Sequence, residues 1–192
     1  MAARTRGSGP DVVLFHGGMG CWRHWTRNIE PLAERFTVHA LDHPSYGASA
    51  SVPRETTGKE YLDLVHRLFL EMLPGDAPLR FAGFSFGAAV GLRAACPHSR
   101  VQATIGVGLP VVPAADERTY DFGFLQTCSQ PKLFVSGARD QYGPRPKLQE
   151  LVNSLPEPKK LVLIEGADHF FAGRLRELRD AIEKWVKEVV AI

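Results

Sequence analysis

The chain has 192 residues, of which 44% are hydrophobic and 23% are charged, and its formal net charge is +2. This balance is typical of a globular domain and excludes disordered, fibrous and strongly basic nucleic-acid-binding classes. No run of the sequence approaches the roughly 18 apolar residues that a membrane span needs. We therefore expect a small-molecule partner, with no nucleic acid and no membrane.

The N-terminal segment 1–10 is basic but lacks the apolar core of a secretion signal. We predict that this segment is disordered or extended, that residues 11–192 form a single domain, and that the protein stays in the cytoplasm. The cysteines are odd in number and widely spaced, so we expect small buried hydrophobic residues without a disulfide framework: Cys21, Cys96 and Cys128. No histidine or cysteine pair has metal-ligand spacing, so we predict no metal and no cofactor.

Apolar runs with strand character alternate along the chain with helical patterns. This alternation is typical of a parallel sheet with helices on both faces. The predicted strands, in chain order, are 12–16, 36–41, 79–84, 101–107, 132–136 and 161–164. The predicted helices are 25–35, 59–73, 86–95 and a last one that starts near residue 174.

The third predicted strand runs through Gly83-Phe84-Ser85-Phe86-Gly87 into an alanine-rich helix. A serine on a sharp strand-to-helix turn is pushed out of the sheet, which requires flanking positions with almost no side chain. The start of the helix adds backbone N–H groups whose positive dipole end would face an oxyanion at Ser85. The Gly-x-Ser-x-Gly pattern alone is weak, and a glycine-rich crossover with an incidental serine is the competing interpretation.

Two further polar residues follow later predicted strands. Asp140 comes after the strand at 132–136, and His169 comes after the strand at 161–164. Because parallel strands end at the same edge of a sheet, we expect Ser85, Asp140 and His169 to lie together. With the His16-Gly17-Gly18 segment after the first strand, this Ser-Asp-His order makes the chain resemble the α/β-hydrolase superfamily over about residues 11–190.

The resemblance has two parts. Segment 13–47, with its His-Gly-Gly loop and Asp-x-Pro-x-x-Gly turn, is similar to the esterase and carbon–carbon bond hydrolase branch, whereas segment 120–171 looks more like small lidless hydrolases of the dienelactone-hydrolase type. It implies a minimal α/β-hydrolase fold with about six parallel strands and no lid domain. Two departures are expected: the first antiparallel strands are absent, and the turn after Asp42 has less glycine than in relatives.

The resemblance also implies roles for individual residues. Ser85 would attack an acyl group, His169 would take and return its proton, and Asp140 would orient the imidazole. The oxyanion would be bound by backbone N–H groups, one from Phe86 and one from Gly18 or Met19.

Some of these assignments have rivals. Asp116 and Asp121 follow the preceding strand and compete with Asp140 for the role of the acid, although the loop of Asp140 directly follows a clear strand. His16 would order the oxyanion loop through hydrogen bonds, and Asp168 is expected to be a solvated loop carboxylate.

We expect an open cleft for short or medium acyl esters, lined by aromatic residues that could equally belong to the core: Trp22, Trp25, Phe84, Phe86, Tyr120, Phe122 and Phe170. The favoured activity is a serine carboxylester hydrolase. Thioesterase, lactonase and carbon–carbon bond hydrolase are alternatives within the same chemistry, and a non-catalytic ligand-binding or sensor protein is an alternative from another class. Either a monomer or a homodimer paired through a sheet edge is expected.

Overall fold

A computed structural model gives the fold of residues 1–73, 75–112 and 120–189. The strands of its single sheet are β1 (Ala3–Arg6), β2 (Asp11–Phe15), β3 (Thr37–Leu41), β4 (Leu79–Phe84), β5 (Val101–Val107), β6 (Lys132–Gly137) and β7 (Lys159–Ile164). Their spatial order is β1-β3-β2-β4-β5-β6-β7. Strands β2 to β7 are parallel, and β1 is antiparallel to β3. The strand order reverses between β2 and β4, where open α/β sheets form a crevice.

In the described residues, five α-helices cover the two faces of this sheet: α1 (Thr26–Ala33), α2 (Gly58–Met72), α3 (Phe86–Ala95), α4 (Arg145–Ser154) and α5 (Leu175–Val189). Strand β2 shows how the sequence divides between the faces, since side chains alternate along a strand. Val13 and Phe15 pack in the core cluster that contains residues of α2, α3 and α4, whereas Val12 and Leu14 pack with Ile29 of α1. Because both faces are covered, the parallel strands are almost continuously apolar.

The prediction of about six parallel strands with helices on both faces is confirmed. Strands β4 and β5 have the predicted bounds. Helix α4 was not predicted, although Leu148, Leu151 and Val152 have helical spacing and Pro144 at its N-cap is a start signal. Between β5 and β6 the described residues contain a 3-10 turn, Gly123–Thr127, and no lid domain.

The prediction that the first antiparallel strands are absent is wrong for one strand. Residues Ala3–Arg6 form β1, which pairs with β3 from Ala3 opposite Leu41 to Arg6 opposite Val38. All four residues of β1 are exposed, so the strand carries no alternation of apolar and polar residues that a sequence pattern could reveal. Its position is decided by the backbone hydrogen bonds of the neighbouring strand.

The expectation that all three cysteines are free is also wrong. Cys96, which caps the C-terminus of α3, forms a disulfide with Cys128, and Cys21 is free. The two bonded residues are 32 positions apart in the chain, and the fold brings their Cα atoms within 5.2 Å. Such a pair is decided by tertiary packing, which the spacing of cysteines in a sequence does not show.

No helix within the described ranges 1–73, 75–112 and 120–189 combines the length and the apolar character that crossing a membrane requires.

Candidate active site

Ser85 lies on the sharp turn between β4 and α3, with the backbone angles φ 52° and ψ −119°. A non-glycine residue rarely adopts a positive φ, so the turn is held by its surroundings. A Cβ atom at Gly83 would lie 2.5 Å from the carbonyl oxygen of Gly87, and one at Gly87 would lie 2.3 Å from that of His16. Both glycines are therefore required by close backbone approach, as the sequence pattern predicted.

The side chains of Ser85, His169 and Asp140 form a continuous hydrogen-bonded chain. The distance from Ser85 Oγ to His169 Nε2 is 2.9 Å, and that from His169 Nδ1 to Asp140 Oδ2 is 2.8 Å. These residues follow β4, β7 and β6 respectively, so the shared carboxyl edge of the sheet brings them together across 84 and 29 residues of sequence. The structure thus brings the three predicted residues into hydrogen-bond contact.

The carboxylate of Asp140 is buried, and both of its oxygens accept hydrogen bonds. Its Oδ1 accepts hydrogen bonds from the backbone N–H groups of Tyr142 (2.8 Å) and Gly143 (3.1 Å), and its Oδ2 also accepts one from Ser136 Oγ at 3.1 Å. Burial alone would raise the pKa of Asp140, but the hydrogen bonds from His169 and the two N–H groups lower it below its usual range. Asp140 is therefore ionised at neutral pH and accepts the proton on Nδ1 of His169, so Nε2 of that imidazole accepts the proton of Ser85.

The rival acids have other surroundings. Asp121 is exposed, accepts a hydrogen bond from the backbone N–H of Gly123, and lies 3.9 Å from the guanidinium of Arg93. Asp116 lies outside the described residues. Asp168 is exposed, as expected, and its Oδ1 accepts the backbone N–H groups of Phe170 and Ala172.

The loop after β2 is held by a reciprocal pair of buried histidines. His16 Nε2 accepts the backbone N–H of His43 at 3.2 Å, and His43 Nε2 donates to the carbonyl oxygen of His16 at 2.9 Å. Because Nε2 of His16 is an acceptor, its Nδ1 carries the proton and donates to the carbonyl of Gly17 at 2.6 Å. Burial lowers the pKa of His16. Burial, and to a smaller extent the electrostatic interaction with the nearby His16, lower the pKa of His43 to about 3.

The side chain of Asp42 holds the Asp-x-Pro-x-x-Gly turn after β3 together. The buried carboxylate accepts the backbone N–H of Trp22 at 2.5 Å and that of Ala48 at 2.8 Å. Gly47 has a φ of 56°, and a Cβ there would lie 2.1 Å from Asp42 Oδ2, so the turn admits only glycine. Asp42 thereby connects this turn to the segment that follows the histidine loop.

The predicted aromatic lining divides into residues near His169 and residues elsewhere. The ring centroids of Phe84 and Phe170 lie 5.3 and 5.2 Å from that of His169. Trp22 and Trp25 instead pack against the apolar cluster beneath α1, made of Val12, Leu14, Ile29, Val38 and Ala40. The structure therefore gives these two tryptophans a packing role.

Tyr120 and Phe122 pack beside each other, with ring centroids 6.1 Å apart, and against the main core cluster. Phe86, the first residue of α3, packs against a different group of rings, and its ring centroid lies 5.4 Å from that of His43 and 6.1 Å from that of Tyr46.

Two tyrosines near the site were not predicted. Tyr142 lies 4.7 Å from the His169 ring, centroid to centroid, and Tyr46 lies 5.7 Å from the His16 ring. The signal that could have found Tyr142 is its place two residues after Asp140, in the loop that the sequence assigns to the site.

Within the described part of the chain, no group of His, Cys, Asp or Glu side chains is placed to hold a metal ion.

A family model described as an alpha/beta hydrolase domain matches residues 51–192. Among curated proteins, a pimeloyl-[acyl-carrier protein] methyl ester esterase from Nitrosomonas europaea is 33% identical over 91 residues, which cover 47% of this chain and 33% of that protein. The chain spans less than half the length of the curated relatives it matches.

Solved structures match over almost the whole chain at low sequence identity. A thermophilic esterase from Thermogutta terrifontis has a TM-score of 0.76 and 18% identity, with 99% of this chain and 94% of that chain covered. The alpha/beta hydrolase enzyme MGS-M2 from a Medee basin deep-sea metagenome library has a TM-score of 0.83 and 13% identity, with 100% of this chain and 95% of that chain covered. These likenesses concern the fold.

Proposed function

Because the chain belongs to the alpha/beta hydrolase family, we propose that it is a serine hydrolase that cleaves carboxylic esters of short to medium acyl chains. The observation that carries this proposal is the hydrogen-bonded chain from Ser85 through His169 to Asp140. A serine is a weak nucleophile unless a neighbouring base removes its proton, and a base works best when a third group orients it. The site supplies both functions within hydrogen-bond distance.

In the first half of the reaction, Ser85 Oγ attacks the ester carbonyl carbon while its proton passes to Nε2 of His169. The resulting tetrahedral intermediate collapses, the bond between the carbonyl carbon and the alcohol oxygen breaks, and His169 gives its proton to the departing alcohol. Asp140, kept ionised by its backbone N–H donors, stabilises the transient imidazolium. The product of this half is an acyl group on Ser85.

In the second half, a water molecule attacks the acyl-enzyme and gives one proton to His169 Nε2. Collapse of the second tetrahedral intermediate releases the carboxylic acid, and His169 returns the proton to Ser85 Oγ. The net reaction consumes an ester and water and yields an acid and an alcohol, with no cofactor.

We assign the oxyanion hole to the backbone N–H of Phe86 together with that of Gly18 or Met19. The backbone N–H of Ser85 itself donates to the carbonyl of Val107 at 2.8 Å, so it is engaged in the sheet. Gly18 lies beside α3, since a Cβ atom built on it would be 3.6 Å from the Phe86 Cβ. Removing one donor from such a hole typically costs on the order of 10²–10³ in kcat.

The activity of several curated relatives favours an oxygen ester as substrate. The Nitrosomonas europaea protein is named as a methyl ester esterase, and we extend only ester cleavage to this chain, not that protein's substrate. A thioester, a lactone or a carbon–carbon bond would use the same residues. Of the predicted aromatic lining, we retain Phe84 and Phe170 as substrate contacts because both rings adjoin His169.

The test is hydrolysis of p-nitrophenyl acetate, butyrate and octanoate by the natural sequence and by Ser85→Ala. We expect turnover that falls to background in Ser85→Ala and persists in the control Ser51→Ala, whose serine is exposed. Circular dichroism establishes that each variant is folded. Turnover that survives in Ser85→Ala contradicts the proposal, and a folded protein that hydrolyses no ester favours the non-catalytic binding role.

A further inference from the structure

Three aromatic rings surround the imidazole of His169. The ring centroid of Tyr142 lies 4.7 Å from that of the imidazole, that of Phe170 lies 5.2 Å away, and that of Phe84 lies 5.3 Å away. Tyr142 and Phe170 meet the imidazole nearly edge to face, with interplanar angles of 69° and 84°. The rings come from the loops after β6 and β7 and from the end of β4.

The turn after His169 holds Phe170 in solvent. Phe170 is 68% exposed, although the next residue, Phe171, is 1% exposed and packs in the core. Phe171 has a φ of 56°, a conformation that a bulky residue adopts only when its surroundings impose it. Asp168 supplies part of that constraint, because its Oδ1 accepts the N–H groups of Phe170 and Ala172. The burial of Phe171 thus fixes Phe170 beside the imidazole at the surface.

General acid catalysis decides which part of a substrate these rings would meet. His169 Nε2 must give a proton to the alcohol oxygen as that alcohol departs, so the alcohol lies within hydrogen-bond distance of the imidazole. The acyl group extends from the carbonyl carbon away from that oxygen. Of the two parts of the ester, the alcohol is therefore the one that lies nearer to the side chains packed around the imidazole.

We propose that Phe84, Tyr142 and Phe170 form a subsite for the leaving alcohol, and that the enzyme prefers esters of aromatic alcohols to esters of small aliphatic ones. This inference rests on the proposed ester hydrolysis. A planar ring bound beside Phe170 covers the exposed face of that side chain and gains edge-to-face or offset contacts, which a small alkyl group cannot make. The enzyme would thereby select its substrates by the alcohol part of the ester.

The test compares phenyl acetate with 2,2,2-trifluoroethyl acetate. Both esters give the same acetyl-enzyme, so the ratio of their kcat/KM values reports the steps up to release of the alcohol. The intrinsic reactivity of the two esters cancels when the ratio in a variant is divided by the ratio in the natural sequence. We expect Phe170→Ala to lower the phenyl-to-trifluoroethyl ratio about tenfold, the usual effect of losing one aromatic contact surface.

Two controls separate a leaving-group subsite from a general loss of activity. Leu70→Ala removes a different exposed apolar side chain, on α2, and should leave the ratio within about twofold. Methyl phenylacetate and methyl acetate carry the ring on the acyl side, and Phe170→Ala should leave their ratio within about twofold as well.

The outcomes distinguish this inference from the proposal on which it rests. An unchanged phenyl-to-trifluoroethyl ratio in an active Phe170→Ala variant overturns the subsite and leaves ester hydrolysis standing. If Phe170→Ala lowers the ratio of methyl phenylacetate to methyl acetate equally, Phe170 contacts the acyl part of the ester, and the leaving-alcohol subsite is again overturned. If the natural sequence hydrolyses neither of these acetates nor any of the p-nitrophenyl esters, both the subsite and the proposed function are wrong.

Discussion

Buried histidines occur in two neighbouring loop groups at the carboxyl edge of the sheet, and their partners differ. His169 bonds to two side chains, the carboxylate of Asp140 and the hydroxyl of Ser85. His16 and His43 bond to backbone groups, namely to each other's main chain and to the carbonyl of Gly17. A carboxylate partner stabilises a protonated imidazole, whereas burial among neutral groups disfavours it.

This difference separates a histidine that can carry a proton from histidines that hold a loop in place. The pKa of His43 falls to about 3 because it is buried, and His16 adds to the effect, so His43 is neutral near neutral pH. Burial lowers the pKa of His16 as well. A neutral histidine keeps one donor and one acceptor, which is what the reciprocal bonds between the two loops require. Substitutions at His169, Asp140, His16 and His43 test this division of roles.

The largest expected effect is that of His169→Ala. We expect kcat for p-nitrophenyl butyrate to fall on the order of 10⁴-fold or more, because the serine then lacks its base and the alcohol its acid. The measurement is steady-state hydrolysis, with His66→Ala on α2 as the matched histidine control. A His169→Ala enzyme within tenfold of the natural sequence would place the base elsewhere.

Asp140→Asn is expected to lower kcat by about 10⁴-fold with little change in fold, because asparagine no longer favours the proton on Nδ1 of His169. The paired variant Asp121→Asn removes the exposed rival carboxylate and should stay within about twofold of the natural activity. Steady-state kinetics of the two variants compares the rival acids directly. A larger loss in Asp121→Asn than in Asp140→Asn would reverse the assignment.

A smaller loss is expected when the loop-holding pair is broken. His16→Ala removes the acceptor of the His43 N–H and the donor to Gly17, and we expect kcat to fall about 10²-fold as the oxyanion loop shifts. The pH–rate profile should keep the apparent pKa of the natural enzyme, since His16 neither gives nor takes a proton in the reaction. A displaced profile would show that His16 takes part in proton transfer.

The sequence could predict Ser85, Asp140 and His169 because each follows a recognisable strand, and parallel strands bring their ends to one edge. It could not predict the partner of His16, since the bond to His43 depends on how the loops after β2 and β3 approach each other. The same limit applies to β1, to the bond between Cys96 and Cys128, and to the packing of Trp22 and Trp25. Local patterns specify elements, whereas side-chain partners far apart in sequence are decided by packing.

The smallest expected effect concerns stability against acid. The pKa of His43 is lower in the folded protein, about 3, than its ordinary value of 6.5, so between these values the unfolded chain binds a proton that the folded one does not. The stabilising contribution is complete above pH 6.5 and is lost as the pH falls towards 3, by up to about 1.4 kcal/mol per pH unit.

The matched variant is His43→Gln, which keeps an amide N–H for the carbonyl of His16 and does not titrate. Urea unfolding of both proteins at several pH values measures the slope of the unfolding free energy. Between pH 6.5 and 4 we expect the unfolding free energy of His43→Gln to change less steeply with pH. The difference in slope corresponds to up to about one fewer proton bound on unfolding. Equal slopes would mean that His43 is protonated in the folded protein.

Intact-protein mass spectrometry after treatment with a fluorophosphonate measures whether His169 and Asp140 make Ser85 a nucleophile. Ser85 Oγ displaces fluoride from phosphorus, so an activated serine gains the mass of one phosphonyl group. We predict one adduct on the natural sequence, located on Ser85 by peptide mapping, none on Ser85→Ala, and strongly slowed labelling of His169→Ala. If the folded natural protein stays unlabelled, or if His169→Ala is labelled as fast as the natural protein, His169 and Asp140 do not activate Ser85.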